Sequence, residues 1–140
     1  LVVAADDAVF TTACAAIGLS ADGGMSYFLP RILGRRKALE LLMLSDRFKA
    51  DEALQLGLVS RVVPADELDA SVDTLVARLK AGPRHSYGEF KRLVNSSFDN
   101  QIEAQLQSEA EAFARCSATG DFAEGVTAFL DKRKPGFKGK

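Results

Sequence analysis

Ala15-Ala-Ile-Gly-Leu-Ser-Ala-Asp-Gly-Gly-Met-Ser-Tyr-Phe-Leu-Pro-Arg-Ile-Leu-Gly34 is the stretch on which the reading of this chain turns. It runs from an apolar approach into a turn that carries one carboxylate, Asp22, followed by Gly23-Gly24. An amphipathic helical segment comes next, with Tyr27, Phe28, Ile32 and Leu33 on its apolar side. A carboxylate just ahead of a helix sits where backbone N–H groups and the helix dipole favour negative charge. Gly18 and Gly23 let a ligand approach the backbone closely. Two readings follow for Asp22: a chemical site, or a turn and cap residue that satisfies the first N–H groups of the next helix.

Composition bounds the alternatives. A chain of 140 residues is most simply one domain and buries roughly two-thirds of its unfolded surface. It is 47% hydrophobic and 26% charged with net charge −1, which argues against a nucleic-acid binder. The two cysteines, Cys14 and Cys116, lack any paired spacing, and the one histidine, His85, has no ligand cluster around it. Neither a metal site nor a disulfide framework is expected. The chain opens on the apolar run Leu1-Val-Val-Ala-Ala, without a starting Met or a basic leader, and reads as a fragment rather than a signal peptide or membrane span.

Outward from the central stretch, strands are expected over Leu1–Ala5 and Val9–Thr12. The helix from Met25 should end at Gly34, with a kink or early stop at Pro30. Arg35–Leu44 is almost wholly apolar after its basic first turn and predicts a helix buried on most sides. Arg35, Arg36 and Lys37 oppose the dipole there and are expected to be solvated. Ala50–Leu56 predicts a short helix with Asp51 and Glu52 in its first turn, and Leu58–Val63 a strand closed by Pro64.

Beyond Pro64 the pattern is all helix. Leu68, Val72, Leu75, Val76 and Leu79 mark one helix over 65–80, and Gly82-Pro83 breaks it, with Pro83 suited to start the next. Ile102, Leu106, Ala110 and Phe113 mark another, and Phe122, Val126, Phe129 and Leu130 the last. The basic tail, Lys132 to Lys140, is expected to fray. His85 reads as a solvated residue.

These residues resemble the enoyl-CoA hydratase/isomerase (crotonase) superfamily. The resemblance rests on four motifs in order: Ile17-Gly-Leu-Ser-Ala-Asp-Gly-Gly24 with Phe28-Leu-Pro-Arg-Ile-Leu-Gly34; Ala38-Leu-Glu-Leu-Leu-Met-Leu44; Ala50 to Pro64; and Glu124 to Pro135 with Phe137. It covers nearly the whole chain but only the C-terminal half of a full-length member. The implied fold class is α/β: the last part of a ββα spiral over residues 1–64, then an all-helical C-terminal oligomerisation region over 65–140. The resemblance also implies an acyl-CoA substrate, self-association as a trimer or dimer of trimers, and a cytoplasmic setting. It implies no cofactor other than the coenzyme A of the substrate, no metal, no nucleic acid and no membrane.

Hydratases of the family use two glutamates, of which the first falls upstream of Leu1. The second falls four residues after the phenylalanine matched by Phe10, where this chain has Cys14. A thiol among Ala13, Ala15 and Ala16 is a poor acid for adding water and reads as packing. Asp22 matches a second acidic position, used by enoyl-CoA and dienoyl-CoA isomerases of the family and by ring-epoxide isomerases of phenylacetate degradation. The pattern is closer to an isomerase with one acidic residue than to a hydratase. Cys14, Gly18, Gly23, Phe129 and Lys132 are the substrate-binding candidates, the last two by resemblance to C-terminal positions that reach coenzyme A in a neighbouring subunit. Phe129 also fits its helix's apolar stripe, and Lys132 a last turn where cations suit the dipole. The alternatives are a true hydratase and a non-catalytic oligomerisation fragment. RNA binding through the tail is disfavoured, because Phe137 is its only aromatic.

Overall fold

The apolar opening run does form a strand. In the computed structural model, which describes residues 1–140, β1 (Val3–Ala5) lies parallel to β4 (Arg61–Val63), with Val3 opposite Arg61 and Ala5 opposite Val63. A parallel pair needs a long crossover, and the intervening chain supplies it. That crossover holds β2 (Val9–Phe10), α1 (Met25–Leu44), β3 (Phe48–Lys49) and α2 (Ala50–Gln55). β2 and β3 pair antiparallel, which stacks Phe10 on Phe48 with ring centroids 5.7 Å apart. Around them gather Ala4, Leu41, Ala50, Ala53 and Val59, all buried, flanked by Leu33, Leu56 and Val62. This small core belongs to the first of two compact units, Leu1–Thr74.

α1 is broken at Gly34, whose φ of 75° and ψ of 159° lie outside any helical region. That combination is essentially open to glycine alone, so the stop expected at Gly34 is where the helix breaks. Pro30 stays inside the helix. The segment 35–44 corrects an expectation: only Ala38 and Leu41 are buried, while Met43 is 68% exposed. One stripe faces the core and the rest of its apolar surface is open. Lys37, expected to be solvated, is half-buried and pairs with Glu40 at 2.8 Å and Glu52 at 3.7 Å. β3 was not expected from the sequence; two residues, one of them the charged Lys49, give no periodic signal.

A 3₁₀ turn (Ala65–Glu67) leads into α3 (Leu68–Lys80), which runs across the unit boundary. The second unit, Leu75–Lys140, contains α4 (Arg84–Ser96), α5 (Ile102–Ser117) and α6 (Gly120–Leu130). Pro83 precedes α4 as its cap rather than starting it. Glu89 on α4 accepts hydrogen bonds from Arg115 on α5 and Arg92 on α4, which hold its carboxyl down at about 2. Thr119 caps α6 by accepting from the Phe122 amide at 3.1 Å. The architecture is a mixed α/β fold, mostly helical. No helix is long and apolar enough to cross a membrane.

The basic tail does not fray. Asp121, 5% exposed, accepts the Lys138 and Gly139 amides at 2.7 and 2.8 Å, and its own amide donates to the Lys140 carbonyl. Glu124 accepts both guanidinium nitrogens of Arg133 and the Gly136 amide. The side chains of α6 thus supply the acceptors that hold the tail. Arg133 and the Gly136 amide keep the Glu124 carboxyl at about 2, against 4.5 for a free one. A carboxyl whose pKa is depressed by folding stabilises fully above its ordinary range and loses that contribution as pH falls through its folded value. The Gly136 amide resonance should therefore hold its hydrogen-bonded position down to near pH 2. A transition centred near pH 4.5 would contradict the clasp.

Candidate functional site

The turn before α1 is built from its two ends. On one side, the Thr12 hydroxyl donates to the Leu41 carbonyl at 2.7 Å, and the Thr11 hydroxyl to the Ser45 carbonyl at 3.2 Å. Both carbonyls lie at the C-terminal end of α1: that of Leu41 also accepts the Ser45 amide at 3.0 Å, and Ser45 is the residue that caps the helix. The chain then turns through Ala13, held at φ 33°, into a 3₁₀ turn over Cys14–Ile17. Gly18, at φ 75°, ends it, and the Leu19 amide donates back to the Cys14 carbonyl at 3.0 Å.

On the other side, the Met25 amide donates to the Asp22 carbonyl at 2.9 Å, and Gly23 and Gly24 take φ of 53° and 85°. α1 is capped by Gly24 with no side-chain bond, so the Asp22 side chain does not cap this helix. That removes the structural reading of Asp22 as an N-cap. The exposed Asp22 carboxylate has one polar partner, the half-buried Cys14 thiol, with Sγ 3.9 Å from Oδ1. Residues eight apart in sequence are thus brought together. Gly23 lies in the same turn, and Gly18 closes the turn that carries Cys14.

The first turn of α1 sets an aromatic pair beside the diglycine. Tyr27 and Phe28 meet edge to face at 5.2 Å, and the Arg31 guanidinium lies 3.6 Å from the Tyr27 ring centroid. A Cβ added to Gly24 would stand 2.9 Å from the Phe28 ring. Ile17, Leu19, Phe28 and Ile32 are all more than half exposed. Asp22 therefore stands exposed on a surface rich in apolar side chains. Phe129 and Lys132 lie in the second unit, where the Lys132 amide donates to the Phe129 carbonyl at 3.2 Å. Phe129 is 83% exposed and borders an open apolar groove of about 370 Å³ with Phe122, Val126 and Phe137. His85 is exposed in the first turn of α4, as expected. The sequence reading missed Thr11 and Thr12 as anchors of the turn, although adjacent threonines able to bond main chain were a usable signal. It also missed the Arg31–Tyr27 contact, which the i, i+4 spacing could have revealed.

Residues 1–140 match the enoyl-CoA hydratase/isomerase family. The chain is 34% identical over 140 residues to a probable enoyl-CoA hydratase of Rhodobacter capsulatus, covering all of this chain and 54% of that protein. It is also 34% identical over 140 residues to the 1,2-epoxyphenylacetyl-CoA isomerase of Escherichia coli, of which it covers 53%. The crystal structure of an enoyl-CoA hydratase from Polaromonas superposes with a TM-score of 0.93 at 36% identity, over 99% of this chain and 54% of that one. The chain spans about half the length of the curated relatives it matches.

The glycine geometry yields a paired expectation. Gly23→Ala meets open space and should cost about 1–2 kcal/mol for its left-handed φ. Gly24→Ala adds the clash with Phe28 and should cost more, read as the shift in urea midpoint. Equal losses for the two variants would contradict the close approach of the Phe28 ring.

Proposed function

The chain belongs to the enoyl-CoA hydratase/isomerase family, and from that premise we propose that the full-length protein moves a double bond along an unsaturated acyl-CoA, with Asp22 as its one acidic residue. The observation that carries this reading is the state of the Asp22 side chain. It neither caps α1 nor forms an ion pair, and it rests on a turn whose glycines leave room around it. Cys14 supports it further. At the position where the resemblance places a hydratase's glutamate, this chain has a thiol that cannot deliver water as a carboxylate does. The relatives' names include both hydratase and isomerase, so the choice rests on these two side chains.

In the proposed mechanism, the Asp22 carboxylate takes a proton from C2 of a 3-enoyl thioester. The C–H electron pair passes into the thioester, forming a dienolate with charge on the carbonyl oxygen. Backbone N–H donors, which the resemblance places upstream of Leu1, stabilise that charge. The protonated Asp22 then delivers its proton to C4, and the double bond settles between C2 and C3. The proton taken is the proton returned, so no redox or metal chemistry is called for; coenzyme A enters only as part of the substrate. Phe129 and Lys132 would serve the coenzyme A end, Phe129 by apolar contact and Lys132 as a point charge for a phosphate. Self-association into trimers is part of the same proposal. It is supported by the second unit's apolar helix faces, since Phe90, Phe113 and Phe129 are each more than half exposed there.

The test is an assay of the full-length protein with a 3-enoyl-CoA and a 2-enoyl-CoA. Double-bond migration without hydration is expected, and Asp22→Asn should lower it about 10²–10⁴-fold. Hydration of the 2-enoyl-CoA at a comparable rate would favour a hydratase, and silence on every acyl-CoA an oligomerisation role. An unchanged Asp22→Asn rate would remove Asp22 from the chemistry.

A further inference from the structure

The Cys14 thiol is the one group in contact with the carboxylate assigned to proton transfer, and everything around it is arranged to keep it there. Thr11 and Thr12 tie the preceding backbone to the end of α1. The Thr11 hydroxyl also accepts from the Ala13 amide at 3.2 Å, and the Cys14 amide donates to the Thr12 carbonyl. Downstream, the Cys14 carbonyl accepts from the Leu19 amide. The Cys14 backbone is therefore held at both its N–H and its C=O, in a turn entered through a left-handed alanine. Its Sγ lies 3.9 Å from Oδ1 of Asp22, within reach of a sulfur hydrogen bond, and Asp22 has no other polar partner.

We propose that Cys14 is a positioning residue for Asp22: its S–H donates to Oδ1 and so fixes the carboxylate's rotation, leaving Oδ2 to take and return the proton. This rests on the reading of Asp22 as the proton carrier. A carboxylate that must deprotonate one carbon and reprotonate another two bonds away gains from a single orientation. An exposed aspartate on a diglycine turn has little else to provide it. A thiol suits the task because S–H is a weak, uncharged donor and does not quench the carboxylate as an arginine would. Cys14 then acts through Asp22 and does not touch the reacting atoms.

The test combines turnover with a vibrational signature in the full-length protein. Cys14→Ala should lower kcat for isomerisation about two- to ten-fold, the size of one modest hydrogen bond, with KM unchanged. In the Asp22→Asn background the same substitution should have no further effect, because the two residues act as a unit. The S–H stretching band of Cys14, isolated as the difference between the parent and Cys14→Ala, should move to higher frequency in Asp22→Ala as the acceptor is lost. A raised KM with kcat retained, an equal loss in both backgrounds, or an unmoved band would each overturn the positioning role. If the band moves while Asp22→Asn turns over at the parent rate, the pair is real and the isomerase reading is what falls, taking the catalytic role of Cys14 with it. If Asp22→Asn is crippled while Cys14→Ala keeps full kcat, only the positioning role falls.

Discussion

The Thr12 hydroxyl donates to the Leu41 carbonyl, which also accepts the Ser45 amide that closes α1, so one oxygen joins the helix end to the segment before the site. Leu41 is itself a core residue, so the bond ties the segment before the site to the best-packed part of the unit. With Thr11 on the Ser45 carbonyl, it fixes where the chain can turn next, and Ala13 takes up a left-handed conformation to make that turn. The 3₁₀ turn that follows sets Cys14 beside Asp22. Backbone bonds from the Leu19 amide to the Cys14 carbonyl and from the Met25 amide to the Asp22 carbonyl complete the hold on the two residues.

The two units solve their packing differently. The first has a small genuine core in which buried Phe48 is stacked by the partly buried Phe10. In the second, the buried apolar residues are alanines, Ala112 and Ala128, and polar contacts carry the order instead. Asp121 is buried yet fully used by main-chain amides of the tail, so it is a structural carboxylate. Glu89 and Glu124 are likewise consumed by arginines. The Asp22 carboxylate, by contrast with these three, is met only by a thiol.

Much of this was legible in the sequence because it is written in local chemistry. Gly34 ends a helix since its dihedrals suit glycine alone, and α2 starts where Asp51 and Glu52 complement the dipole. The family was legible because four short motifs occur in the right order, although no single one decides it. What was not legible depends on contacts distant in sequence. β3 exists because Phe48 finds Phe10, and a strand of two residues cannot announce that. The tail is ordered by carboxylates on α6, so composition alone misjudged it. The segment 35–44 misled in the opposite direction: an apolar helix face looks buried from sequence whether or not a partner covers it within the chain. At the site, the sequence singled out Asp22 but left open whether its side chain capped the helix, and only the geometry of the turn decided that.

The central claim is that the Asp22 carboxylate, held above a diglycine turn, carries a proton between two carbons of a bound acyl-CoA. A crystal structure of the full-length protein with an unreactive 3-enoyl-CoA analogue tests it most directly. The account predicts one Asp22 oxygen within about 3–3.5 Å of both C2 and C4, with the other oxygen facing Cys14. An Asp22 side chain turned to bulk water, with the acyl chain seated elsewhere, would contradict it.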